Sequence, residues 1–274
     1  MLLRELRYLF CKDAPKCYTK ENTSKKGGLN MERDGKHIAG KLYLPESVDN
    51  PPLVILSHGF GANYKSLEGY AHYFVDNGFA AYVFDFIGGG LESQSDGKMT
   101  DMSVLTEAAD LGVVLDYFQD FSDINNQQIF LFGASQGGFV STYVAGTRPD
   151  DIAGLIVLYP AYVLQDDSKK RNPNPELGSE TSHIGGIEVG KIYDRDAQSF
   201  DIYDLMPYYH GKTLIIHGTS DPIVPISYSE RAVATFPEAR LVVINGAGHG
   251  FTGKANEIAK TESVDFIKNI IAEK

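Results

Sequence analysis

The chain has 274 residues, 43% of them apolar, and a formal net charge of -11. That is enough to bury one sizeable core within the usual range of a single α/β domain. Its acidic balance argues against nucleic acid or anionic membrane surfaces as partners. No apolar run approaches the roughly 20 residues that span a bilayer, so no integral membrane contact is expected.

Charge is unevenly placed. Residues 1–30 carry seven Lys/Arg against three Asp/Glu, a net of +4, which leaves -15 on the remainder. Such a segment reads as a solvated basic N-terminal tail, with residues 31–274 as the folded domain. Arg4, Glu5 and Arg7 interrupt the apolar residues of Met1 to Phe10, and no small-residue cleavage site follows, so a cytoplasmic location is expected. Cys11 and Cys17 both fall in this tail and read as incidental reduced thiols. Asn22-Thr23-Ser24 is formally a glycosylation acceptor, without consequence in a cytoplasm.

After the tail, His37 to Leu44 reads as an antiparallel entry strand, ended by Pro45 and the turn-rich Asn50-Pro51-Pro52. Six short apolar runs follow: Leu53 to Ser57, Ala80 to Phe84, Gln128 to Phe132, Leu155 to Tyr159, Thr213 to His217 and Leu241 to Asn245. Between and after them, Ser66 to Asn77, Ser103 to Phe121, Gly138 to Gly146, Tyr228 to Phe236 and Ala255 to Ala272 repeat apolar residues at spacings of three and four, as helices do. Strands without polar alternation, separated by helices, predict an α/β fold in which helices cover both faces of a mostly parallel sheet of about eight strands. The rhythm breaks once. Ala161 to Gly211 places 51 residues between two strands, where a crossover needs about a dozen. This inserted segment is expected to form a lid over the carboxyl ends of the strands. Within it Asp166 to Glu180 is rich in charge, Pro and Asn, His183 to Tyr193 suggests a small hairpin turning at Gly185-Gly186, and Asp201 to Tyr209 a short helix.

The sharpest chemical signal is Gly133-Ala134-Ser135-Gln136-Gly137-Gly138, placed between a strand and a helix. A serine hydroxyl is a weak nucleophile until it is exposed beside a base. A tight strand-to-helix turn provides the exposure, and it brings backbones so close that the residues two before and two after must be small, as Gly133 and Gly137 are. The base needs a pKa near neutrality, which histidine supplies. Of seven histidines, His249 lies beyond the last central strand, in Gly246-Ala247-Gly248-His249-Gly250. The base in turn needs a carboxylate to fix its tautomer. Asp221 follows the strand Thr213 to His217 directly, and Asp201, Asp204 and Glu238 are less well placed. The backbone N–H groups of Phe60 and Gln136 are the expected oxyanion donors, while His58 and His217 each precede a glycine at a strand end and read as turn braces. Gly88-Gly89-Gly90 lacks the spacing of a phosphate-cradling loop, and no His, Cys and carboxylate grouping has metal-ligand spacing, so neither metal nor cofactor is expected.

From about residue 31 to 272 the chain resembles the bacterial cinnamoyl or feruloyl esterases, within the α/β-hydrolase superfamily. The resemblance rests on His58-Gly59-Phe60, on Phe84-Asp85-Phe86 leading to Ser95-Asp96-Gly97-Lys98, on Ser135-Gln136-Gly137-Gly138, and on His217-Gly218 followed by Asp221 and Val224-Pro225. It implies an α/β-hydrolase fold with an inserted lid, and hydrolysis of small to medium acyl esters through an acyl-serine intermediate. It also implies lid groups that hold the acyl part of the substrate, for which Tyr162, Asp166 and Asp167 are the candidates. Where the family has a short Gly-His-Gly turn after Asp85, this chain has Gly88-Gly89-Gly90-Leu91-Glu92-Ser93-Gln94. A peptidase or thioesterase on the same scaffold, and a non-catalytic ligand-binding protein, are the competing expectations.

Overall fold

Apolar strands with no polar alternation need cover on both faces, and the order of elements supplies it. The structure is a computed structural model; it describes residues 29–273 in full and residues 9–10 and 17–21 by their backbone. In chain order the elements are β1 (Leu9–Phe10), β2 (Cys17–Glu21), β3 (Glu32–Arg33), β4 (Lys36–His37), β5 (Gly40–Pro45), β6 (Pro52–Ser57), α1 (Glu68–Asp76), β7 (Ala80–Phe84), α2 (Val104–Gln119), β8 (Asn125–Ala134), α3 (Gln136–Thr147) and β9 (Gly154–Leu158). There follow α4 (Leu164–Arg171), β10 (Thr181–Ile184), β11 (Ile187–Gly190), α5 (Lys191–Ala197), α6 (Ile202–Leu205), β12 (Lys212–Gly218), α7 (Ser227–Thr235), β13 (Ala239–Ile244) and α8 (Gly253–Ala272).

The main sheet runs β1-β2-β5-β7-β6-β8-β9-β12-β13. From β7 to β13 neighbouring strands are parallel, whereas β5, β2 and β1 extend the sheet antiparallel. Side chains alternate between two cores. Along β8, Ile129 and Leu131 pack with α2 and α3, while Phe130 and Phe132 pack with α1 and α8. The chain steps outward from β6 to β7 and returns to place β8 on the other side of β6. A reversal of this kind opens a crevice at the carboxyl ends of the strands, and Ser135 sits there, at the end of β8.

Two local expectations are revised. The entry strand does not run unbroken from His37: Lys36 and His37 pair back on Arg33 and Glu32, and the sheet strand starts at Gly40. The reason is Asp34-Gly35, both at positive φ (53° and 73°), which closes a two-residue hairpin. The segment read as a solvated tail contributes β1 and β2, and β2 pairs with β5 from Cys17↔Pro45 to Glu21↔Lys41. Cys11 and Asn22-Thr23-Ser24 lie outside the described residues, and Cys17 is described by its backbone alone. The start of the charged stretch is helical as α4, with Asp166 and Asp167 in its first turn and Lys169, Lys170 and Arg171 in its last, signs that complement the helix dipole.

The rest of the inserted segment follows its sequence except at residues 191–193, expected as the end of the hairpin, where the chain instead begins the helix α5. Gly185 and Gly186, at φ 58° and 85°, turn the β10–β11 hairpin, and Val189 is fully buried beneath it. Residues 202–208 form α6 and a 3₁₀ turn. No helix among the described residues is long and apolar enough to cross a membrane.

Candidate active site

Ser135 occupies the junction of β8 and α3 with φ 54° and ψ -119°. A side chain at positive φ costs on the order of 1–3 kcal/mol and persists where surrounding structure dictates it. Here close packing dictates it. A Cβ on Gly137 would collide with the carbonyl oxygens of Ser57 and His58, and one on Gly133 with the Gly137 carbonyl. The turn can form because those positions carry no side chain. It lifts the serine hydroxyl clear of the sheet edge.

His249 reaches Ser135 from the loop after β13, with Nε2 2.9 Å from Oγ. Its Nδ1 lies 2.8 Å from Asp221 Oδ2. The other Asp221 oxygen, Oδ1, accepts from the Ile223 and Val224 amides at 2.8 and 2.9 Å. Burial opposes ionisation of Asp221, but the Val224 amide, His249 and the Ile223 amide outweigh it and hold the carboxyl below its ordinary range. With an ionised acceptor on Nδ1, the imidazole carries its proton there and turns a lone pair towards Ser135. The competing acids are elsewhere: Asp201 caps α6 by accepting from the Tyr203 amide, and Asp204 and Glu238 are solvent-exposed.

The brace reading of His58 agrees with its contacts. Nδ1 donates to the Gly59 carbonyl at 2.9 Å and Nε2 accepts from the Phe86 amide at 3.2 Å. Burial pushes this imidazole towards neutrality. His217 does more than brace a turn. Its Nε2 donates to Val224 O at 2.9 Å and stands 3.3 Å from Asp221 Oδ2, while Nδ1 accepts from Ser229 at 2.7 Å. Burial lowers its basicity too, so it stands beside Asp221 as a neutral neighbour and leaves the carboxylate's charge to His249.

The two expected oxyanion donors flank Ser135. Gln136 is its neighbour and opens α3, where an N–H has no intrahelical acceptor. Phe60 lies on the other side. An added Cβ on the preceding Gly59 would stand 3.2 Å from the Ser135 Cβ, so that backbone passes directly over the nucleophile. Among the described residues neither N–H donates to a protein acceptor. The Gly88-Gly89-Gly90 run is accounted for by close approach: a Cβ on Gly90 would strike the Ala62 carbonyl, and one on Gly88 the Lys98 carbonyl.

The three candidate acyl-contacting residues are otherwise engaged. Tyr162 is 1% exposed and shares its hydroxyl with Thr142 at 2.8 Å, which makes it part of the core beneath the insert rather than a group turned to a substrate. Asp166 accepts from the Tyr228 hydroxyl at 2.7 Å. Asp167 is half-exposed and 3.7 Å from Lys170. Sequence reasoning passed over Tyr159, whose ring packs against His249 with centroids 4.7 Å apart. Its one sequence signal is its place just past β9 at the same sheet edge. It also passed over Glu107, a fully buried acid of α2 whose Oε2 accepts from the Gln136 side chain at 2.8 Å. An acid among Val104, Ala108 and Leu111 on an apolar helix face was the available signal. Among the described residues no three His, Cys, Asp or Glu side chains group to hold a metal ion.

Two family models match this architecture, one described as serine aminopeptidase, S33, over residues 49–184, and one as alpha/beta hydrolase fold over residues 170–252. The structure of Est1E from Butyrivibrio proteoclasticus with ferulic acid bound superposes with a TM-score of 0.81 at 25% identity, covering 89% of this chain and 100% of that one. This chain has the α/β-hydrolase fold. The chain is also 26% identical over 218 residues to an uncharacterized protein of Mycobacterium tuberculosis, spanning 79% of this chain and 69% of that one. To the monoglyceride lipase of Mus musculus it is 27% identical over 142 residues, 50% of this chain and 44% of the lipase. The likeness to Est1E extends over more of the chain than either family model, in keeping with the resemblance to feruloyl esterases read from its motifs.

Proposed function

We propose that this hydrolase cleaves carboxylic esters through an acyl-serine intermediate, with Ser135 as nucleophile, His249 as general base and Asp221 as the acid that orients it. The observation carrying this reading is the continuous hydrogen-bonded chain Ser135 Oγ, His249 Nε2, His249 Nδ1, Asp221 Oδ2, at 2.9 and 2.8 Å. Ser135 Oγ attacks the ester carbonyl as its proton passes to His249 Nε2, and the carbonyl electrons move to an oxyanion held by the Phe60 and Gln136 N–H groups. Collapse breaks the bond to the alkoxy group, which leaves with the proton from His249. Water then attacks the acyl-serine, giving its proton to the same nitrogen, and the freed acid departs as Ser135 recovers its hydroxyl.

Small aromatic acyl esters of the feruloyl kind are the favoured substrates, on the likeness to an esterase structure that holds ferulic acid. The test is hydrolysis of p-nitrophenyl butyrate and methyl ferulate by the wild-type chain and by Ser135→Ala. Loss of turnover in a variant with an unchanged circular dichroism spectrum is expected, and retained turnover overturns the assignment. The serine aminopeptidase description of the matching family model favours one second reading, cleavage of aminoacyl amides by the same residues. Comparing kcat/KM for esters, acyl thioesters and aminoacyl p-nitroanilides decides between them.

A further inference from the structure

Tyr193, on α5 of the inserted segment, touches both residues whose N–H groups flank Ser135. Its hydroxyl donates to Gln136 Oε1 at 2.6 Å, and its ring meets the Phe60 ring edge-on, with centroids 5.7 Å apart at 70°. The opposite end of the Gln136 amide donates through Nε2 to Glu107 Oε2 at 2.8 Å. Glu107, Gln136 and Tyr193 are all buried. A primary amide held at both its oxygen and its nitrogen cannot rotate, and Gln136 is the residue after the strained Ser135.

Tyr193 is itself firmly placed. The neighbouring Asp194 accepts from Ser168 at 2.8 Å and is paired with Arg171, both on α4. Asp196 accepts from Ser103, the residue that caps α2, at 2.5 Å. Gly190, just before α5, packs so closely on the Thr100 carbonyl that a Cβ would not fit. The helix carrying Tyr193 is therefore clamped to α2 and α4, and does not swing as a free flap.

From this geometry we infer that Tyr193 is a positioning residue that couples the inserted segment to the oxyanion hole, holding the Gln136 peptide through its hydroxyl and the Phe60 loop through its ring so that both N–H groups converge beside Ser135. The inference rests on the serine-hydrolase reading above. It makes the insert part of the device that stabilises the transition state, as well as a cover for the substrate. Loss of the Tyr193 contacts then lowers kcat rather than raising KM, because oxyanion donors act on charge that develops after binding.

The test uses Tyr193→Phe, which removes the hydroxyl and keeps the ring, with Gln136→Met and the double variant, on p-nitrophenyl butyrate. Tyr193→Phe is expected to lower kcat about ten-fold with KM within about two-fold, short of the roughly hundred-fold or greater loss of an entire donor. In the Gln136→Met background the same change is expected to alter kcat less than about two-fold, since the contact is already broken. A Tyr193→Phe enzyme with wild-type kcat, or a double variant in which the Tyr193→Phe loss is undiminished, overturns the inference while leaving the nucleophile assignment intact. Retained turnover in Ser135→Ala would instead remove the reading beneath it. Melting curves accompany the kinetics; if Tyr193→Phe is unfolded at the assay temperature, Gln136→Met alone cuts the bond from its other end, and the same split between kcat and KM decides.

Discussion

Replacing Asp221 by Asn exchanges one carboxylate oxygen for an NH2, and the surroundings determine which. Oδ1 accepts from the Ile223 and Val224 amides, so in the Asp221→Asn variant the side-chain carbonyl oxygen must stay on that side. The new NH2 then faces His249 Nδ1, which in the wild-type chain lies 2.8 Å from Oδ2. Two donors cannot face each other, so the imidazole is forced to carry its proton on Nε2, where it points at Ser135 and cannot accept the hydroxyl proton. His217 Nε2, already 3.3 Å from Oδ2 and donating to Val224 O, cannot turn to relieve the conflict. An amide in this position of a Ser-His-Asp arrangement lowers turnover about 10⁴-fold, which is a barrier increase of about 5 kcal/mol. We expect a kcat loss of that size for Asp221→Asn on p-nitrophenyl butyrate, with KM within a few-fold and the folded state retained. Active-site titration would confirm the fraction of competent enzyme. A loss of less than about ten-fold would refute the argument that the two amides dictate the orientation of the Asn and, through it, the tautomer of His249.

Gly137→Ala should destabilise the protein by roughly 2–3 kcal/mol or prevent folding, because the new methyl meets two backbone carbonyls at the end of β6 that cannot yield as a side chain would; a thermal melt within about 2 °C of wild type would contradict this. Burial raises the Glu107 carboxyl well above its ordinary value of 4.5, with the Gln136 hydrogen bond opposing and the Asp110 charge adding to the rise. The folded chain therefore keeps a proton that the unfolded chain releases; the contribution is complete below about pH 4.5 and is lost as pH climbs towards the folded value. Urea titrations at about pH 5, 6.5 and 8 should show Glu107→Gln gaining on wild type with rising pH, by at most about 1.4 kcal/mol per unit, and parallel curves would exclude the effect. Removing residues 1–28 deletes the strand that pairs with β5, leaving an edge that carries the buried Leu42, Tyr43 and Leu44. Light scattering should show aggregation of the truncated chain at concentrations where the full chain is monodisperse.

Much of the architecture is legible in one dimension because it depends on short-range pattern. The six parallel strands announce themselves by apolar runs without alternation, since both faces of every one but the edge strand β13 are covered. Ser135, with glycines two before and two after it, is readable because the turn excludes any Cβ at Gly137. Asp221 and His249 are readable from their places after β12 and β13. What escaped did so for particular reasons. Asp34-Gly35 turns the chain in two residues inside an otherwise strand-like stretch. The start of α4 has little apolar periodicity, and its capping charges favour the helix where a hydrophobic pattern does not. The pairing of β2 with β5 is a backbone contact between segments about 25 residues apart, in a stretch whose composition reads as solvated.

The amino-acid sequence by itself determined where a nucleophile could stand, since exposure of Ser135 follows from local backbone sterics. Tertiary structure decided what that nucleophile is connected to. Asp221, Ser135 and His249 are separated by long stretches of chain and meet because parallel strands bring their carboxyl ends to one edge. Tyr162, a candidate for the substrate, went instead to the core when α3 offered Thr142 to its hydroxyl. Tyr193 and Glu107 gained their places at the two ends of the Gln136 side chain through packing between the insert and α2. Contacts of that kind depend on which surfaces fold against each other, and no spacing along the chain encodes them.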